Sequence, residues 1–116
     1  MPGDRWTVEI SGEVARWYAS LKDADKAGAD VALERLAERG PALRMPHSRP
    51  LGDGLFELRF TCEGVARRIT YWFASGRVAV TLTTFRRQRQ NERREVTRAH
   101  RAMRGSREAR GSQWQA

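Results

Sequence analysis

From Leu55 onward, apolar and polar side chains alternate. Phe56, Leu58 and Phe60 fall on one side of an extended chain, and Glu57, Arg59 and Thr61 on the other. This period of two is the mark of a half-buried strand. Cys62-Glu63-Gly64 supplies a turn, after which Ile69, Tyr71 and Phe73 make a second apolar face with Arg68, Thr70 and Trp72 opposite. Ala74-Ser75-Gly76 turns the chain again, Gly76 being free to take the positive φ of a tight hairpin. Val78, Val80 and Leu82 give the third apolar face. Three strands with short connections predict an antiparallel meander with one face dry and one wet.

Upstream, Trp6 to Ile10 alternates as a short first strand, and Ser11 or Gly12 is placed to cap a helix. Val14, Trp17, Tyr18 and Leu21 then recur at i, i+3, i+4 and i+7, a single helical face. Asp23 or Asp25 opens a second helix, with Ala29, Ala32, Leu33 and Leu36 on its apolar side and Gly40-Pro41 at its end. Such a helical hairpin packs on the dry face of the sheet. Trp17 and Tyr18 lie on the apolar stripe, which reads as core packing rather than a base-stacking platform. Residues 42–54, with Pro46 and Pro50, read as an extended linker. A third helix is predicted from Gln90 to Met103, with Val96, Ala99 and Met103 on a narrow apolar stripe. Beyond it the chain turns polar. The predicted class is α+β: a short N-terminal strand, a helical hairpin, a three-stranded antiparallel meander and a C-terminal helix. One domain spans 1–104, with a flexible polar tail over 105–116 in which Trp114 is either a partner anchor or without a role.

The 116 residues suffice for one domain with a modest core. Charge changes the picture most. Lys+Arg 22 against Asp+Glu 14 leaves a net charge of +8, and lysine occurs only at Lys22 and Lys26. Chains this basic meet nucleic acid, anionic membranes or acidic partners, and arginine adds bidentate phosphate recognition. The single cysteine, Cys62, forms no internal disulfide and no metal cluster, and reads as structural. With no long apolar run, no membrane span or signal core is expected, and cytoplasmic residence follows.

The wet face carries the candidate chemistry. Glu57, Arg59 and Arg68 share a phase, and Arg86, Arg87 and Arg89 follow the last strand. Guanidinium groups gathered on one face suit an anionic ligand; the plainer alternative is a solubilised sheet surface. Arg93, Arg94, Arg98 and Arg101 extend the charge along the last helix, either as a grip on RNA backbone or as local ion pairs with Glu92 and Glu95. His47 is a general base by residue type, but no carboxylate partners it in sequence, which equally fits an ordinary loop histidine. No acidic cluster points to a metal.

Four segments resemble a known family: residues 49–59 (RPLGDGLFELR), 68–73 (RITYWF), 84–87 (TFRR) and the helix from Asn91 through Ala99. They are similar to the RelE/ParE superfamily of bacterial toxins, and within it to the HigB-like, phage-derived branch, over residues 5–103. The resemblance implies a RelE-like fold and a ribosome-dependent endoribonuclease that cuts mRNA without metal or cofactor. It implies a cognate antitoxin, HigA-like with a helix-turn-helix domain, and contact with operator DNA only through that antitoxin. It places Arg59 where a strand-borne lysine or arginine acts, Arg68 at a phosphate-contacting arginine, and Arg86 and Arg87 in the basic pair after the last strand. The tyrosine or histidine that many relatives carry on the last helix is missing from Gln88 to Arg94. Glu57 and His47 are the remaining candidates for proton transfer. A gyrase inhibitor of the ParE type, a non-catalytic nucleic-acid-binding module and an inactive prophage remnant are the alternatives on the same fold.

Overall fold

The computed structural model describes residues 4–115, with side chains through residue 111. The order is β1 (Thr7–Glu9), α1 (Gly12–Ala19), α2 (Asp23–Arg39), a 3-10 turn (Gly40–Ala42), β2 (Ser48–Gly52), β3 (Leu55–Cys62), β4 (Val65–Ala74), β5 (Val78–Arg86) and α3 (Glu92–Gln115). One sheet runs β1-β5-β4-β3-β2. The expected meander is its centre, with β3–β4 and β4–β5 both antiparallel. Two successive positive φ angles close each hairpin, 55° and 72° at Glu63-Gly64 and 83° and 60° at Gly76-Arg77. That backbone matches the right-handed twist of the flanking strands.

Two strands differ from expectation. The segment predicted as a linker contains β2, antiparallel to β3. Its Pro50 hid the strand in sequence, yet an edge position tolerates a residue with no N–H to donate. On the far edge, β1 runs parallel to β5, so the sheet is mostly rather than wholly antiparallel.

Both faces of the sheet are covered. Leu58, Ile69 and Tyr71 pack with Val14 of α1 and Ala32 and Leu36 of α2. Leu55, Trp72, Val80 and Leu82 pack on the other side against Ala99 and Met103 of α3. The apolar set of β5 therefore faces α3, not the helical hairpin as the meander reading had it. Residues directly opposite share a face, and Val80 stands against Trp72 while Ala79 stands against Phe73. A bulge follows: Tyr71 pairs Thr81 and Ile69 pairs Thr84, so two residues of β5 oppose Thr70. Side chains satisfy several of its loosened backbone groups. Ser11 Oγ donates to the Leu82 carbonyl at 2.9 Å, and Glu13 accepts from the Thr84 N–H at 2.8 Å. Ser11 also caps α1 by accepting from Val14 N–H.

The tail expectation is corrected as well. The helix does not stop near Met103 but continues to Gln115. Glycine at 105 costs about 1 kcal/mol of helix propensity, but side chains beyond it are anchored. Ser106 accepts from the Trp72 indole N–H at 3.0 Å, Arg107 donates to the Asp53 carbonyl, and Arg110 forks onto Glu9. The side chain of Trp114 lies outside the described residues.

Candidate functional site

Cross-strand register brings the predicted residues together. Arg59 on β3 stands directly opposite Arg68 on β4, and Glu57 opposite Thr70, so all four share the face toward α3. Arg49 of β2 stands opposite Glu57 and adds a further guanidinium on that side. Arg87 continues the pairing of β5 one step beyond the strand, its N–H donating to the Ala66 carbonyl at 2.9 Å. The start of α3 closes the cleft, with Glu92 Oε1 3.7 Å from Arg49 Nη1.

This face is not uniformly wet, as the period-two pattern implied. Glu57 is 1% exposed and Arg68 5%. Their charged groups approach to 3.7 Å, near enough to attract but not to hydrogen-bond. Both Glu57 oxygens and Arg68 Nε are buried without a hydrogen-bond partner, as is Asn91 Oδ1 at the start of α3. Burial pushes the Glu57 carboxyl above the usual range, against the pull of Arg68, Arg59 and Arg49. Burial also lowers the affinity of Arg68 for its proton, and the like charges of Arg59 and Arg87 lower it further. The guanidinium stays protonated regardless. Arg59 is half-buried, while Arg87 and Arg89 are exposed. The arrangement is a buried, partly desolvated positive charge at the floor with more exposed positive charges at the rim. Such an arrangement suits an anion and negative charge that develops on it.

Other predicted residues lie elsewhere. Arg86 stands opposite Arg67, on the face toward α1 and α2, so the basic pair after the last strand is split across the sheet. His47 turns to α2, where its Nδ1 accepts from Arg35 Nη1 at 3.0 Å; it joins neither Glu57 nor Arg68. Arg98 is held by Glu13 at 2.6 Å and Glu95 at 2.8 Å, which raises its proton affinity. It ties α1 to α3 across the β5 bulge. Arg93, Arg94 and Arg101 do line an open groove of about 510 Å³ along α3, with Gln90 and Thr97. Arg49 and Asn91 were missed by sequence reasoning. Only the pairing of β2, which Pro50 obscured, brings Arg49 alongside Glu57. Among the described residues no cluster of His, Cys, Asp and Glu is suited to a metal, and no helix is long and apolar enough to cross a membrane.

The fold has a counterpart among solved structures. The E. coli toxin RelE, as an arginine-to-alanine double mutant in the free state, superposes with a TM-score of 0.59 at 11% identity, over 86% of this chain and 96% of that one. At that identity the likeness is one of fold. No curated protein matches in sequence. The model of the phage-derived Gp49-like proteins (a family also described as DUF891) matches residues 16–104, which take in the end of α1, all of α2, β2, the whole meander and the first half of α3. With the RelE architecture and a match over most of its length, the chain belongs to the phage-derived Gp49-like family.

Proposed function

We propose that this protein is the toxin of a type II toxin–antitoxin system and acts as an endoribonuclease on mRNA engaged by the ribosome. The observation that carries the reading is the convergence of Arg59, Arg68 and Arg87 on one cleft of a RelE-type fold. In the proposed reaction the ribose 2′-oxygen attacks the adjacent phosphorus and gives its proton to water. The P–O2′ bond forms, the P–O5′ bond breaks, and the departing 5′-oxygen takes a proton from water. The products are a 2′,3′-cyclic phosphate and a 5′-hydroxyl. Negative charge grows on the phosphoryl oxygens, and fixed guanidinium groups in a low-dielectric cleft are worth most at that moment. Arg68 binds at the floor, while Arg59 and Arg87 close on the phosphate from the rim. Glu57, buried beneath, positions Arg68 rather than touching RNA. Arg89, Arg93, Arg94 and Arg101 serve the wider contact with RNA backbone. A cognate antitoxin silences the protein in the cytoplasm.

Arg59→Gln with Arg87→Gln tests the site without emptying the buried pair. Induced wild type should arrest growth and leave mRNA fragments ending in 2′,3′-cyclic phosphate. The double variant should cut at least about 10²-fold more slowly while keeping its melting temperature. Arrest as strong as wild type would remove the assigned site. Filamentation with a DNA-damage response and intact mRNA would instead mark gyrase as the target.

A further inference from the structure

β4 carries adjacent arginines, and alternation sends them to opposite faces. Arg68 meets Arg59 toward α3; Arg67 meets Arg86 toward α1 and α2. The same end of the sheet thus holds two cross-strand pairs of like charge. Such pairs destabilise a sheet unless something offsets the repulsion. Arg68 has Glu57 beside it, but neither Arg67 nor Arg86 has a carboxylate within ion-pair distance among the described residues.

Arg67 is also built in place. Its guanidinium lies over the Trp17 ring, 4.6 Å from the centroid, and its Nε donates to Thr84 Oγ1 at 3.1 Å. Trp17 is backed by Phe60. The ring contact and one hydrogen bond hold the group in place and leave both Nη atoms without an acceptor among the described residues. Burial disfavours its charge, and Arg86 opposes it further. A fixed fork of unspent donors beside a second, exposed guanidinium is a phosphate clamp. Between the two faces, Arg86 to Gln90 form a wholly exposed rim with Arg87 and Arg89 in it.

We propose that single-stranded RNA wraps around this end of the sheet, one phosphate in the Arg59–Arg68–Arg87 cleft and another, a few nucleotides along, in the Arg67–Arg86 clamp on the opposite face. The inference rests on the proposed cleft for its first contact and adds a second, sequence-independent one. It assigns to Arg67 and Trp17, unused by the cleft, the holding of the strand outside the cutting point.

The test uses 2′-O-methyl RNA, which lacks the attacking hydroxyl and so reports binding alone, in lengths of ~4 and ~16 nucleotides. Affinities are measured across a salt series. For the longer RNA, Arg86→Gln and Arg67→Gln should each lower the slope of log affinity against log salt by about 0.7, the value of one lost phosphate contact on a single strand. The wild-type gain in affinity with length should shrink accordingly. Arg86 is exposed, so its variant separates binding from folding if Arg67→Gln melts early. Unchanged slopes and an unchanged length gain in Arg86→Gln, with Arg87→Gln weakening both lengths, would overturn the wrap and leave the cleft standing. Arg87→Gln without effect at either length would overturn the cleft, and the wrap with it.

Discussion

Glu13 shows how one side chain is drawn into the fold by chemistry its own helix does not use. Burial works against its charge, but two hydrogen bonds from Arg98 and one from the Thr84 N–H outweigh that cost and hold its carboxyl below the usual range. The stability it contributes is present above the ordinary carboxylate range, about pH 4.3, and is lost as pH falls through its own lower value. Glu13→Ala should cost about 1.5–3 kcal/mol at neutral pH, as expected for hydrogen bonds to a charged group. In urea melts the gap from wild type should narrow on acidification; a gap independent of pH would show that the carboxylate charge is not what stabilises. Gly28 makes the opposite kind of demand. A Cβ there would sit 2.7 Å from the Thr61 carbonyl oxygen, so Gly28→Ala should destabilise by about 1–3 kcal/mol through overpacking. A helix-propensity gain of about 1 kcal/mol works the other way. A variant more stable than wild type would mean that α2 can lift off β3 freely.

At the scale of elements, the helical hairpin, the meander and both meander turns were legible because each is a local pattern. Spacing of three and four gave Val14 on one helix and Ala32 and Leu36 on the next, and all three are buried; Leu21, expected on the first helix, is buried in the turn after it. Period two gave the phase of Glu57, Arg59 and Arg68 correctly. What failed was anything decided between distant segments. No periodicity announces that β2 pairs with β3, or that Ser106, Arg107 and Arg110 find partners on the sheet and its loops and so prolong α3. The reversal of β5 has the same origin, since its alternation is plain but its side is fixed only by register against β4. α3 is held by a small cluster in which Met103 is 3% exposed. Met103→Ala should therefore cost about 2–5 kcal/mol, read as a lowered urea midpoint with an unchanged slope. A loss below about 0.5 kcal/mol would mean that α3 is secured elsewhere.

Across the whole molecule, charge is uneven. α2 carries Asp23, Asp25, Asp30, Glu34 and Glu38 against Lys26, Arg35 and Arg39, whereas Arg86, Arg87, Arg89, Arg93, Arg94 and Arg101 cluster at the end of β5 and along α3, against Glu92, Glu95 and Glu108. With a net charge of +8, that asymmetry turns the cleft toward a polyanion as the two approach. Cleavage of ribosome-bound mRNA by fixed guanidinium groups, followed at constant magnesium with a phosphorothioate at the cut site, should not be rescued by added manganese or cadmium. Rescue by these thiophilic metals would count against the arginine chemistry.

The sequence by itself determined which residues form helices and strands in the hairpin and meander, and which side of each strand is apolar, because those depend on neighbours along the chain. It also determined that arginine, with lysine only at Lys22 and Lys26, carries nearly all the positive charge. Tertiary structure alone decided where each guanidinium points. Pairing register put Arg59 beside Arg68, Arg86 beside Arg67, and Arg98 in the hands of Glu13. Register is a contact between segments far apart in sequence, and a bulge of one residue is enough to move a side chain to the other face.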